Sequence, residues 1–112
     1  MAHDPHSFIQ KPWIKICGLT DPDTALACAA SGADAIGLVF FEKSPRNVSM
    51  EQATAISRAL PPSVIPIGVF VDKGYDAVMT KTEECGLKGV QLHGNEPPSL
   101  VERLQHNGLV VI

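Results

Sequence analysis

The sequence has no excess of basic charge, no long apolar run, no paired cysteines and no glycine-rich nucleotide motif. Each absence closes a class of function. The formal net charge is −3 over 112 residues, and no long basic cluster interrupts it, so no nucleic-acid partner is expected. No apolar stretch approaches the roughly 20 residues that span a bilayer, so no membrane partner is expected either. The opening "MAHDPHSFIQKPW" lacks the basic and apolar regions of a secretory signal, and residues 1–12 read as a flexible lead-in. Three cysteines, Cys17, Cys28 and Cys85, make an odd number with no C-x-x-C pair. That argues against a disulfide scaffold or a structural metal site and fits reduced thiols in a cytoplasmic protein. Neither a G-x-G-x-x-G nor a P-loop is present.

What is present is alternation. With 45% hydrophobic residues, the chain has material for one compact core. Apolar runs rich in Val and Ile begin near residues 14, 35, 65, 88 and 109. Between them lie segments of helical period. In "DPDTALACAASG", Ala25, Leu26, Ala29 and Ala30 recur at helical spacing, Asp21 or Thr20 can cap the start, and Gly32 suits the end. "SMEQATAISRAL" opens with a possible capping box, Ser49 with Gln52. "YDAVMTKTEEC" reads as a helix ending at Gly86, and "PPSLVERLQHNG" as one with proline at its start and glycine at its end. This order predicts an α/β fold of parallel β/α units with right-handed crossovers. Two architectures fit: an open five-stranded doubly wound sheet, or the N-terminal half of a TIM (β/α)₈ barrel, cut after about four β/α units plus a fifth strand. Length favours the first, because a full barrel usually takes about 250 residues.

The strand ends favour the second. Residues two apart on a strand share a face. In "IKICG", Lys15 and Cys17 therefore point one way and Ile14 and Ile16 the other; in "GVQLHG", Gln91 and His93 oppose Val90 and Leu92. A doubly wound sheet covers both faces with helices, and inward polar groups would need partners at several kcal/mol each. In a barrel the second face is the interior, and its upper layer opens onto the site. Bland alternatives stay open for each residue: Cys17 as a small buried hydrophobe, His93 as a core histidine, Arg46 as a solvated loop residue. An unpaired buried ammonium is costly, so Lys15 needs a carboxylate, an anionic ligand or solvent.

Taken together, "KICGLTDPDTALACAASGADAIGLVFFEKSPRNVS", "PIGVFV" and "GVQLHGNE" resemble the N-terminal half of the phosphoribosylanthranilate isomerase family, from about residue 13 onward. The resemblance implies a partial (β/α)₈ barrel domain over residues 13–112. It also implies a cytoplasmic enzyme of tryptophan biosynthesis that uses neither metal nor organic cofactor. Its reaction is the Amadori rearrangement of N-(5-phosphoribosyl)anthranilate to 1-(2-carboxyphenylamino)-1-deoxyribulose 5-phosphate. An acid opens the furanose ring to a Schiff base, and a base then removes the C2 proton. The cysteine of the family's K-x-C-G motif, here Cys17, is that base. Arg46 of "SPR" would contact the substrate carboxylate, and Gln91 and His93 would line the pocket. A free thiol, with pKa about 8.5, is a poor base at neutral pH unless its thiolate is stabilised, and Lys15 on the same face is a candidate for that role and for substrate binding. The family's aspartate acid and its glycine-rich phosphate loops belong to later strands that these 112 residues do not match. The expectation is therefore a base-bearing half with negligible activity alone, whose partners are a phosphorylated small molecule and either a complementary C-terminal half-barrel or another copy of itself. The competing expectation is an autonomous half-barrel module that pairs through open strand edges.

Overall fold

The computed structural model describes residues 13–112; the expected lead-in, residues 1–12, lies outside the described residues. Strands and helices alternate in the order β1 (Lys15–Cys17), α1 (Pro22–Ala30), β2 (Ala35–Phe40), α2 (Met50–Ala59), β3 (Ile65–Phe70), α3 (Tyr75–Cys85), β4 (Gly89–Leu92), α4 (Pro98–His106) and β5 (Val110–Val111). Local chemistry explains several of the helix boundaries. Asp21 caps α1, its carboxylate accepting the Thr24 N–H at 2.8 Å and the Thr24 hydroxyl at 2.8 Å. Ser49 and Gln52 form the reciprocal capping box of α2, at 3.0 and 2.9 Å. Gly86 ends α3 in the left-handed region at φ +70°, which costs a glycine nothing.

The five strands are all parallel and lie in sequential order, β1-β2-β3-β4-β5. That order decides between the two architectures. A doubly wound sheet reverses its strand order to place helices on both faces. A sequential parallel sheet with uniformly right-handed crossovers puts every helix on the same face. The core agrees: Ala25 of α1, Ala53 and Ile56 of α2, Val78 and Cys85 of α3 and Leu100 and Leu104 of α4 are buried with Ile36, Leu38, Phe40, Phe70 and Val90. Phe40 and Phe70 stack at 5.2 Å between ring centroids. Length had favoured the open sheet; strand order overrules it.

One helix face differs from expectation. Ala25 is fully buried, but Leu26 is 42% exposed and Ala30 is exposed, while Cys28 and Ala29 pack on the core. The buried stripe of α1 is thus 25, 28 and 29. Leu26 sits one step of about 100° around the helix and leaves the stripe.

The other sheet face carries Lys15 and Cys17 of β1, Ala35, Gly37 and Val39 of β2, Ile65, Ile67 and Val69 of β3, Gly89 and Gln91 of β4, and Val110 of β5. One register row runs Cys17, Gly37, Ile67, Gly89, Val110, alternating larger side chains with glycine. Barrel interiors fill their layers this way, with side chains from alternate strands. A Cβ on Gly37 would come within 2.6 Å of the Cys17 Sγ, and one on Gly89 within 3.1 Å of Ile67 Cγ1.

Candidate active site

Curvature is what brings the site together. Lys15 on β1 donates from Nζ to Oε1 of Gln91 on β4, although β2 and β3 lie between. Three strand spacings of about 4.8 Å would put these backbones about 14 Å apart in a flat sheet. Gln91 also lies four residues further along the register, since Lys15 shares a row with Ile65 and Gln91 with Val69. Strand tilt takes up about three of those four residues, since a shear of eight over eight strands shifts equal heights by about one residue per strand. The sheet is therefore a trough, and its floor is the face bearing Lys15 and Cys17.

At the carboxyl ends of the strands this trough opens into a cavity of about 270 Å³, lined by Cys17, Val39, Phe41, Ser44, Val69, Val71, Gln91 and His93. Three of the five residues singled out in the sequence, Cys17, Gln91 and His93, line it together. Cys17 is exposed, so it is not the small buried hydrophobe of the bland reading. His93 is exposed as well, and its backbone N–H donates to the Phe70 carbonyl at 2.9 Å, extending the β3–β4 ladder to the cavity mouth. Lys15 and Arg46 are not among the lining residues. Lys15 is half-buried and has a neutral amide oxygen as its partner. Arg46 is exposed, and its side chain lies over Gly18: a Cβ there would come within 2.5 Å of the Arg46 Cδ. Gly18 has φ +84°, so it both turns the chain after Cys17 and leaves room for the guanidinium stem. The Ser44 hydroxyl accepts the Arg46 N–H at 3.1 Å and fixes the turn that presents it.

The apolar half of the lining, Val39 of β2 with Phe41 just beyond it and Val69 of β3 with Val71 just beyond it, escaped the reading of the sequence, which followed polar residues only. The same period-2 rule would have found it: 39 and 41 continue the face of Gly37, and 69 and 71 that of Ile67. A larger depression of about 410 Å³ lies between α2 and α3. It sits on the helical side, away from the strand ends. Among the described residues no group of three or more His, Cys, Asp or Glu could hold a metal ion, and no helix is long and apolar enough to cross a membrane.

A family model for N-(5'-phosphoribosyl)anthranilate isomerase matches residues 14–112. The chain belongs to this family. The N-(5'-phosphoribosyl)anthranilate isomerase of Desulfatibacillum aliphaticivorans is 52% identical over 99 residues, which cover 88% of this chain and 45% of that protein. The crystal structure of phosphoribosyl anthranilate isomerase from Thermotoga maritima superposes with a TM-score of 0.86 at 40% identity, covering 90% of this chain and 49% of that one. Another phosphoribosyl anthranilate isomerase, solved in complex with reduced 1-(o-carboxyphenylamino)-1-deoxyribulose 5-phosphate, gives the same score and identity over 90% of this chain and 52% of that one. The chain spans about half the length of the curated relatives it matches. Its β/α units form half of a (β/α)₈ barrel, as expected from the sequence.

Proposed function

We propose that this chain supplies the base-bearing half of a phosphoribosylanthranilate isomerase active site, in the cytoplasm and without metal or organic cofactor. The observation that carries the reading is Cys17: an exposed thiol at the carboxyl end of β1, sharing one cavity with Gln91 and His93. In this reading the Cys17 thiolate removes the C2 proton of the ring-opened Schiff base, and the resulting enamine tautomerises to the ketone. Gln91 and His93 line the pocket under the substrate. Arg46, presented over Gly18 beside Cys17, reaches the anthranilate carboxylate, for which a guanidinium fork is well shaped. The Lys15 ammonium lies on the Cys17 side of the sheet and raises the positive potential of the trough. Val39, Phe41, Val69 and Val71 offer apolar surface to the aromatic ring.

The acid that protonates the ring oxygen and the loops that grip the phosphate belong, in the family, to later strands. The substrate is a small phosphorylated molecule, and the protein partner is the complementary C-terminal half-barrel. The test is turnover of N-(5-phosphoribosyl)anthranilate by the chain alone and by the chain co-expressed with the second half of a relative. Activity is expected only in the pair, and Cys17→Ser should lower it by roughly 10²–10⁴, the range for losing a general base. Full-length rates from the chain alone, or an active Cys17→Ser pair, would sink the reading.

A second reading is an autonomous module that pairs with its own copy. β1 and β5 each pair on one side only among the described residues. Trp13, Ile14, Val110 and Ile112, at or beside those strands, are 42–51% exposed. Unpaired edges with apolar flanks are pairing surfaces. Light scattering separates the readings: a stable dimer without the second half favours the module, and a monomer that binds the second half favours the isomerase.

A further inference from the structure

Two carboxylates in the loops after β3 and β4 accept backbone N–H groups across those loops. Glu96 accepts the Gly94 N–H through Oε1 at 2.8 Å and the Asp72 N–H through Oε2 at 2.9 Å. Asp72 answers by accepting the Asn95 N–H through Oδ1 at 2.7 Å. These bonds join the loop after β3 to the loop after β4, segments more than 20 residues apart in sequence. The approach is close enough that a Cβ on Gly94 would come within 2.3 Å of Asp72 Oδ1. Asp72 also holds φ +51°, the one positive value at a non-glycine among the described residues. A non-glycine residue keeps that conformation where its surroundings over-determine it.

The consequence falls on His93. Its own N–H is held by the Phe70 carbonyl at 2.9 Å, and the next N–H along, that of Gly94, is held by Glu96. With both flanking peptide planes pinned, the direction of the His93 Cα–Cβ bond into the cavity is set. The same carboxylate pins the peptide that follows Val71, the cavity residue opposite.

We propose that Glu96 and Asp72 form a clasp between the β3–α3 and β4–α4 loops that positions His93 at the mouth of the Cys17 cavity. They are positioning residues: each accepts a backbone N–H of the other loop, and neither lines the cavity. The functional part of this inference rests on the isomerase reading; the geometric part does not.

Nuclear magnetic resonance of the 112-residue chain tests the geometric part without substrate. In the parent chain the Asp72, Gly94 and Asn95 amides should be protected from hydrogen exchange. In Glu96→Ala, exchange at Asp72 and Gly94 should rise roughly tenfold or more, with the Ile36 and Ile67 amides unchanged. The His93 imidazole resonances should shift and broaden. Glu96→Gln, with one acceptor oxygen for two donors, should fall between, and that partial rescue is not expected of a residue that only adds bulk. Gly94→Ala, which forces the loops apart and keeps both carboxylates, should reproduce the His93 change. If Glu96→Ala fails to fold, Glu96→Gln and Gly94→Ala decide. Unprotected amides in the parent chain, or His93 resonances unmoved in the variants, overturn the clasp. In the completed barrel, Glu96→Ala should lower kcat/KM at least tenfold while Cys17 still reacts with iodoacetamide at its parent rate. Parent-level turnover in Glu96→Ala overturns the positioning role. A completed parent barrel with no turnover counts against the isomerase reading alone and leaves the exchange result standing.

Discussion

The Cys17 thiol rests against the backbone of Gly37 on the neighbouring strand, where a Cβ would come within 2.6 Å of Sγ and 3.2 Å of both Cα and Cβ of Cys17. Two of those three atoms are fixed by the β1–β2 ladder, so a side chain at 37 cannot be accommodated by rotating one torsion. Gly37→Ala should destabilise the chain by about 1–3 kcal/mol, the range for overpacking. Removing Sγ relieves the worst contact, so the same substitution should cost measurably less in a Cys17→Ala background. Urea midpoints of the four proteins give the coupling. Equal costs in both backgrounds would mean that the thiol does not lie over Gly37.

Why Cys17, Gln91 and His93 were legible in the sequence, and Glu96 was not, has a physical answer. A strand alternates its faces with a fixed period, so polar residues at 15, 17, 91 and 93 announce a polar face before any partner strand is known. Helix starts are equally local: Asp21 and Ser49 act within three residues of themselves. Strand order is a property of the whole sheet, and length alone pointed to the wrong architecture. The clasp joins loops brought together by the β3–β4 pairing, and no local pattern marks an aspartate in the left-handed region or a glutamate that bridges two loops. Leu26 shows the converse error, where an apolar residue near the helical stripe was counted in although it stands 42% exposed.

The capping box of α2 yields a stability prediction. The Ser49 hydroxyl accepts the Gln52 N–H at 3.0 Å, and Gln52 Oε1 accepts the Ser49 N–H at 2.9 Å. Ser49→Ala removes one of the two bonds and leaves a donor at the helix start to be met by water. The expected loss is about 1 kcal/mol, read as a lower urea midpoint with unchanged m-value. Ser49→Asp, which can still accept from Gln52 and places a negative charge at the N-terminus, should recover most of it.

Asp21 makes the stability of α1 depend on acid. The Thr24 N–H, with the Thr24 hydroxyl second, holds the Asp21 carboxyl below its ordinary value of 3.8. A carboxyl depressed in the folded state binds protons more readily in the unfolded chain. Its contribution is therefore complete above the unfolded value and is lost as pH falls through the folded one. Asp21→Asn keeps a capping oxygen and has no such dependence. The parent should melt above Asp21→Asn at pH 7, and the gap should close as the pH is taken below 3.8. A gap that stays constant over that range would show that the cap does not distinguish the ionised from the neutral carboxyl.

Lys15 and Gln91 test whether the trough is closed by curvature in solution. The bond from the Lys15 ammonium to the Gln91 amide oxygen exists only if β1 and β4 curl toward each other, because a flat sheet holds them too far apart. A bond to a charged group contributes about 1.5–3 kcal/mol in an enclosed setting, and the half-exposed Lys15 reduces that to about 1 kcal/mol. Gln91→Ala should cost that much, since it leaves the ammonium facing an apolar floor that includes the buried Ile67. Lys15→Met should cost less, because the amide it abandons is half-exposed and can meet water. The double variant, with neither group left to lose a partner, should then cost about as much as Lys15→Met alone, giving a coupling of about 1 kcal/mol in the cycle. A coupling indistinguishable from zero would mean that the edges splay in the free chain. The trough would then form only when a second half-barrel closes it, and Gln91 would reach its place beside Cys17 only in the assembled pair.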